Sequence, residues 1–346
     1  MKIGSLFAGI GGFDLGFERA GFEVAWCAEW DRAAQAVLRT RFPRATVYGD
    51  IREIDLDALA PVDVICGGFP CQDLSVAGKR AGLAGARSGL FHDAMRIVRR
   101  VNPSVLILEN VPGLLSSNHG LDFATVLREV GEGWDCAEVG WRVLDSQYFG
   151  VAQRRRRVFV VAGSRIGCAE SILALAEGGG GDPPSRGAPR KDAAGDARGG
   201  ASVGVAFRKS KRAQTDTDDE TWVDDGLANT LNGFDTGDAR TTHAIAQGVD
   251  VYNGVETGQV AATVTSATGG SNTSGPKVSN AMTVRRLTPT ECERLQGFPD
   301  GWTQIGRDKP TADSPRYKQL GNAVTVNVAE WIARRVAAWM RAQDLR

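Results

Sequence analysis

A cysteine and a glutamate, each at the end of an apolar run, are the residues of this chain best suited to do chemistry. Val62-Asp63-Val64-Ile65-Cys66 reads as a buried strand that stops at Gly67-Gly68, and Phe69-Pro70 then leads into Cys71-Gln72. Proline fixes φ and removes an N–H, so Cys71 is set on a rigid turn. A second strand, Val105-Leu106-Ile107-Leu108, ends at Glu109-Asn110-Val111-Pro112. Ligands of α/β sheets bind outside the carboxyl ends of the strands. A thiol and a carboxylate at two such ends can therefore face one pocket, the thiol acting as a nucleophile once its pKa is lowered.

The elements ahead of this pair outline a nucleoside site. Lys2-Ile3-Gly4-Ser5-Leu6-Phe7 reads as the first strand and Ala8-Gly9-Ile10-Gly11-Gly12 as a glycine turn, followed by an amphipathic helix through Phe13, Leu15, Phe17 and Ala20. Glycines at a helix start let a ligand approach backbone N–H groups. The pattern is G-x-G-G, not the dinucleotide G-x-G-x-x-G, and by itself it fits a plain tight turn as well. The next strand, 24–28, runs to Glu29-Trp30-Asp31. An acid there commonly accepts from ribose hydroxyls, while Asp31 suits a helix cap better than Glu29 does. A helix over 32–42 leads to a third strand, Thr46-Val47-Tyr48, and then to Gly49-Asp50-Ile51. Glycine turn, Glu29 and Asp50 together describe an adenosine site. A pyrimidine attacked at C6 becomes nucleophilic at C5 and can take a methyl group from an adenosine-containing sulfonium donor, which explains one cleft holding all of these groups.

The chain is 346 residues long, so two unequal domains are expected. Lys and Arg number 41 and Asp and Glu 41, and the zero net charge carries no global signal of nucleic acid. No apolar run is long enough to span a bilayer, and the start shows no signal-peptide pattern, so a soluble cytoplasmic protein is expected. Its six cysteines include no C-x-x-C pair, and with three histidines zinc-type spacing is absent.

Residues 73–89, rich in Gly, Ala, Ser, Lys and Arg, are expected as a mobile loop that closes over a ligand. Helices are predicted at 90–101 and around 123–130, and strands at 138–144 and 158–162, with Gln153-Arg154-Arg155-Arg156-Arg157 between the last two. Gly, Pro, Ala and Asp dominate 177–203, which reads as a linker or poorly ordered insertion. From 204 to 282 the chain is polar with short alternating segments, predicting short strands and turns, and a faint repeat (227–232 against 260–265) suits paired hairpins. An acidic run at 216–225 reads as a solvated flank. Thr288 as cap and Pro289 at the first position open a helix that ends at Gly297-Phe298-Pro299. Residues 317–326 and a helix over 327–341 return to α/β character, so the two chain ends are expected to share a domain. The expected division is 1–175 with 313–346 for catalysis and 176–312 for target recognition.

Taken in order, these motifs resemble the C5-cytosine DNA methyltransferases of bacterial or phage type. The resemblance rests on Leu6-Phe7-Ala8-Gly9-Ile10-Gly11-Gly12, Glu29-Trp30-Asp31, Gly49-Asp50-Ile51, Gly68-Phe69-Pro70-Cys71-Gln72, Glu109-Asn110-Val111, the run from Gln153 to Arg157, Arg286-Leu287-Thr288, Leu295-Gln296-Gly297-Phe298-Pro299 and Gln319-Leu320-Gly321-Asn322-Ala323-Val324. It implies a Rossmann-like, S-adenosylmethionine-dependent α/β domain with a smaller, mostly β or irregular recognition domain inserted. By resemblance Cys71 is the nucleophile that adds to cytosine C6, and Glu109 engages N3 and the amino group. Asn110 holds the Pro70-Cys71 loop, and Arg155 and Arg157 position the base and the nucleophile. Arg154 and Arg156 are solvent or phosphate contacts. Phe7, Gly9, Gly11, Gly12, Glu29, Trp30, Asp50, Ile51, Pro70, Leu90, Asn322 and Val324 match cofactor contacts. Gln72, Ser75, Lys79, Arg80, Arg87, Asn110 and Gln153 are expected at the DNA. Many members carry Asp where this chain has Ser5, so the methionine end of the cofactor is expected to be held differently.

The resemblance further implies that the target base swings out of the duplex, because its reacting carbon is unreachable in the stack. Phosphate contacts would then give salt-sensitive affinity, and base-edge contacts from the polar region would give sequence choice. Arg208, Lys209, Lys211 and Arg212 are as good as phosphate neutralisers as they are as readers. The expected partner is double-stranded DNA, with no metal and no membrane, S-adenosyl-L-homocysteine as product, a monomer at the nucleoid, and a restriction endonuclease acting separately. Two alternatives stand beside this reading: a tRNA cytosine-C5 methylase, a branch that lacks a substantial recognition domain, and a catalytically silent DNA-binding relative, against which the intact Cys71, Glu109, Arg155 and Arg157 argue. A redox role for Cys71 is disfavoured because Cys66 reads as buried in a strand.

Overall fold

The structure, a computed structural model, describes residues 1–70, 89–174, 287–306 and 311–344, with the backbone of four strands between 205 and 285. The first part of the chain alternates strands and helices: β1 (Lys2–Leu6), α1 (Gly12–Arg19), β2 (Glu23–Ala28), α2 (Arg32–Arg41), β3 (Thr46–Tyr48), β4 (Val64–Gly68), α3 (Gly89–Val101) and β5 (Val105–Asn110). There follow α4 (Leu121–Glu132), β6 (Glu138–Asp145), β7 (Arg156–Gly163) and α5 (Cys168–Leu173). These strands make a seven-stranded sheet in the order β3-β2-β1-β4-β5-β7-β6. β7 runs antiparallel to β5 and β6, and the pairings among β1 to β5 are parallel. This is the expected α/β class. A four-stranded antiparallel sheet holds β8 (Val205–Lys211), β9 (Thr221–Asp224), β10 (His243–Gln247) and β11 (Thr283–Arg285), in the order β11-β10-β8-β9. The chain ends with α6 (Pro289–Leu295), α7 (Asp313–Asn322) and α8 (Val326–Asp344).

Period-two alternation sorts the large sheet into two apolar faces. Ile3, Cys27, Val64, Cys66, Val105 and Ile107 share one core with Phe13 and Phe17 of α1 and Val328, Ile332 and Val336 of α8. Leu6, Trp26, Ala28, Ile65, Leu106 and Leu108 face the other way, toward Phe91 and Met95 of α3 and Val126 and Val130 of α4. Local signals set the helix starts. Asp31 caps α2 by accepting from the N–H groups of Ala33 at 2.8 Å and Ala34 at 3.1 Å. Thr288 and Glu291 form a reciprocal capping box on α6, with Pro289 in its first turn.

Two expectations are corrected by the packing. The strand predicted over 62–66 is β4, which starts later and runs through both glycines. They permit close approach: a Cβ at Gly67 would lie 2.5 Å from the Leu6 carbonyl oxygen of β1. Residues 287–306, grouped above with target recognition, pack otherwise, because Leu287, Cys292, Leu295, Phe298 and Trp302 are buried in the same core as Phe13 and Phe17. Their apolar side chains cover the α1–α8 side of the large sheet, and the Trp302 indole N–H donates to the Ile10 carbonyl at 2.8 Å. In addition, α5 and α7 are helices that the apolar pattern did not announce. The insertion 177–203, the repeat at 227–232 and 260–265, and most of the acidic run 216–225 lie outside the described residues.

Candidate active site

Adjacent parallel strands β1, β2 and β3 end side by side, which brings the glycine turn, Glu29 and Asp50 to one rim of the sheet. Gly9 and Gly11 adopt φ of 57° and 84°, in the left-handed region that glycine enters without strain. The Glu29 carboxylate accepts from Gly9 N–H and Asp31 N–H, each at 2.8 Å, and so ties the turn to the end of β2. Burial pushes the Glu29 pKa up, against those two N–H groups. Asp50 caps the 3-10 turn Ile51–Glu53 at 3.0 Å and pairs with Arg52, whose hydrogen bonds hold its carboxyl below the usual range.

Phe7 sits beside this rim at a positive φ of 53°, Ile51 is buried, and Leu90 is half-buried in the first turn of α3. Across the turn, a Cβ on Gly12 would lie 2.4 Å from the Val324 carbonyl oxygen, so the start of α1 rests directly on the segment carrying Asn322 and Val324. A Cβ on Gly9, by contrast, would meet nothing within 4 Å among the described residues, and Trp30 is 75% exposed. Open space above a glycine turn, an uncovered indole and a carboxylate form a cradle that fits an adenosine-containing cofactor.

The second half of the site lies at the ends of β4 and β5. Glu109 pairs in register with Gly68, and a Cβ at Gly68 would be 2.8 Å from the Glu109 Oε2. Glycine is needed there for the carboxylate to lie across the strand end. Asn110 Nδ2 donates to the Phe69 carbonyl at 3.1 Å while its Oδ1 accepts from Val111 N–H at 2.8 Å. The Phe69 ring packs on Phe91 at 5.1 Å, so the chain entering exposed Pro70 is anchored from two sides. Asn110 thus ties the end of β5 to the backbone one residue before Pro70.

Antiparallel β7 returns Arg157 beside Glu109, and its Nε lies 2.9 Å from Oε1, with the two side chains 15% and 12% exposed. The 153–157 run alternates, with Gln153 and Arg155 buried and Arg154 and Arg156 exposed. Arg155 donates to the carbonyls of Gly321 at 3.1 Å and Ala323 at 2.8 Å. Burial and the neighbouring Arg157 push its pKa down, while Glu109 opposes them. Gln153, expected at the DNA, is fully buried, and neither its amide oxygen nor its nitrogen has a partner among the described residues. Cys71, Gln72, Ser75, Lys79, Arg80, Arg87 and Arg212 lie outside the described residues, and Arg208, Lys209 and Lys211 lie on β8, described by its backbone.

Two groupings had no local signal in the sequence. Ser5 faces the helix, donating from Oγ to Asp14 Oδ1 at 2.7 Å, and the Cys27 thiol joins the same oxygen at 3.3 Å. Register explains the meeting, since Ser5 pairs with Cys27 on one side and Cys66 on the other. Burial pushes the Cys66 thiol well above its ordinary range, which fits an inert core cysteine. Gln296, Thr325 and Ser146 form the other grouping, a buried chain of side-chain hydrogen bonds. Among the described residues no group of His, Cys, Asp and Glu is suited to a metal ion, and no helix is long and apolar enough to cross a membrane.

Comparison with known proteins bears on this arrangement. A family model described as C-5 cytosine-specific DNA methylase matches residues 1–338. The Type II methyltransferase M.Bsp6I of Bacillus sp. (strain RFL6) is 30% identical over 342 residues, covering 97% of this chain and 98% of that protein. M.HpaII of Haemophilus parainfluenzae is 30% identical over 336 residues, covering 93% and 85%. Among solved structures, the S. pombe Dnmt2 methyltransferase superposes with a TM-score of 0.63 at 16% identity, over 98% of this chain and 99% of that one, a likeness of fold.

Proposed function

The chain belongs to the C-5 cytosine-specific DNA methylase family and methylates cytosine C5 in DNA, and from that premise we propose that the Glu109–Arg157 pair receives a flipped-out cytosine while Cys71 attacks it. The carrying observation is the convergence at the ends of β4 and β5. Glu109 lies over Gly68 and against Arg157, and Asn110 holds the Phe69 carbonyl one residue before Pro70-Cys71.

In this reading the Cys71 sulfur adds to C6 and the ring electrons move to C5. Glu109, oriented by Arg157, carries the hydrogen bond or proton at N3 that stabilises the added ring. S-adenosylmethionine, which the family uses, supplies the methyl group when bound, and S-adenosyl-L-homocysteine is the product. Loss of the C5 proton then expels the sulfur and restores the aromatic ring. The reaction needs no metal. Glu29 and Asp50 would face the ribose side of the cofactor and Trp30 its adenine, with Phe7, Gly9, Gly11, Gly12, Ile51, Pro70, Leu90, Asn322 and Val324 completing the cradle. Arg155 acts from behind, holding the turn at 321–323. Gln72, Ser75, Lys79, Arg80, Arg87 and Gln153 serve the DNA side.

The burial of Leu287, Leu295, Phe298 and Trp302 with α1 supports a division of labour. Residues 1–175 and 287–346 form the catalytic unit, and the polar region to 285 reads the target sequence. The working protein is a cytoplasmic monomer on double-stranded DNA, with a restriction endonuclease as separate partner. Methyl transfer from tritiated cofactor to duplex DNA and to tRNA tests the reading. Label is expected in the duplex, absent with Cys71→Ser, and a 5-fluorocytosine duplex should become covalently attached. Label in tRNA only, or a near-normal rate with Cys71→Ser, overturns it.

A further inference from the structure

We infer that Gln296 is a positioning residue for cofactor binding, holding the turn that carries Asn322 and Val324 against the glycine turn. The inference rests on the proposed role of that turn as a cofactor contact. Gln296 is fully buried, and each end of its amide is committed to the turn. Its Nε2 donates to the Leu320 carbonyl at 2.8 Å, and its Oε1 accepts from the Thr325 hydroxyl at 2.9 Å. The Gln296 backbone carbonyl takes a third bond, from Val326 N–H at 2.9 Å. One residue therefore grips the turn on both sides of Asn322, which is itself exposed and free to face a ligand.

The grip extends in two directions. Ser146 donates to the Thr325 hydroxyl at 2.9 Å, linking the turn to the end of β6. Val324 lies under the start of α1, where a Cβ on Gly12 would approach its carbonyl to 2.4 Å, so a shift of the turn must disturb the glycine turn as well. Arg155 holds the Gly321 and Ala323 carbonyls, and Gln296 holds the flank that Arg155 does not reach. An amide that supplies a donor and an acceptor to two defined atoms fixes register in a way that a hydrophobe of equal volume cannot.

The consequence is a cofactor-specific defect. Gln296→Met keeps the volume and removes both amide bonds, so the turn loses its register without opening a cavity. Titration of S-adenosyl-L-homocysteine into the full chain, without DNA, should show Kd raised about tenfold, the scale of one or two lost hydrogen bonds. At saturating cofactor and DNA, kcat should stay within about twofold of the parent. Thr325→Val should repeat the effect, and Thr325→Ser, which keeps the hydroxyl, should restore the parent Kd, so the Thr325 pair carries the test should Gln296→Met fail to fold. An unchanged Kd in Gln296→Met and Thr325→Val, or a kcat that falls at saturation, overturns the inference. Asn322→Ala separates the two readings. If it leaves Kd unchanged, the turn is not a cofactor contact; if it weakens binding while the Gln296 and Thr325 variants do not, the positioning role fails by itself.

Discussion

The Arg157 Nε lies 2.9 Å from the Glu109 Oε1, although the two residues come from antiparallel strands far apart in sequence. Both side chains are largely withdrawn from water, so each depends on the other: removing one partner of a mostly buried pair leaves the other uncompensated. Glu109→Gln should lower the single-turnover rate of methyl transfer about 10²–10⁴-fold, the range for loss of a positioned acid or base. Arg157→Met should lower it by a similar factor. The double variant should be little slower than either, because the residues act as a unit. Rate losses that multiply would mean that they act independently.

Gly68 offers a sharper test, because its neighbour Gly67 is a built-in control. A methyl group at 68 meets the end of a flexible side chain, Glu109 Oε2 at 2.8 Å, whereas at 67 it meets backbone, the Leu6 carbonyl oxygen at 2.5 Å. Gly68→Ala should therefore fold with nearly the parent Tm and push the Glu109 carboxylate off Arg157, slowing methylation at least tenfold with cofactor affinity intact. Gly67→Ala should lose Tm, since β1 and β4 must separate. Equal thermal losses in the two variants would refute the assignment of Gly68 to the site.

How far the sequence anticipated this arrangement depends on how local each signal was. β1, β2, β3, β5 and β7 follow from short apolar runs, and the caps at Asp31 and Thr288 follow from residue type, because their causes lie within a few residues. Gly67 and Gly68 were expected to end a strand and instead continue it, for their role is set by Leu6 and Glu109, remote in sequence. Arg155 and Arg157 stand two apart in one basic run yet reach different targets. Only the antiparallel return of β7 decides that one meets Glu109 and the other the carbonyls of Gly321 and Ala323. Gln296 was legible as part of a motif, but its partners at Leu320 and Thr325 were not. The stretch 287–306 was grouped with the recognition region, while its own buried Leu287, Leu295, Phe298 and Trp302 belong to the core of the large sheet.

Trp30 separates ligand binding from stability. At 75% exposure its indole contributes little to packing. Trp30→Ala should leave Tm unchanged and weaken binding of S-adenosyl-L-homocysteine about tenfold, within the roughly 1–3 kcal/mol that a base gains by stacking on an aromatic ring. Trp30→Phe should recover most of the loss. Titration calorimetry beside thermal melting would check both, and an unaltered Kd would remove Trp30 from the cofactor cradle.

Asp14 should leave a signature in the pH dependence of stability. It is wholly buried with Ser5 and Cys27 on Oδ1 and, among the described residues, no partner on Oδ2, and burial pushes its pKa from 3.8 up to about 6. Between those values the folded chain holds a proton that the unfolded chain has released. The stabilising contribution of the protonated form is thus complete below pH 3.8 and is lost as pH rises through 6. A shift of roughly two units corresponds to about 3 kcal/mol. Glu29, also raised by burial, acts with the same sign, so the comparison must be between parent and variant. Asp14→Asn keeps the shape and an acceptor for Ser5 but cannot ionise. Its Tm should fall less than the parent's as pH rises from 4 to 7, with the gap opening between the two pKa values and constant above them. Parallel Tm curves for the two proteins over that window would show that the Asp14 carboxyl does not change its protonation there.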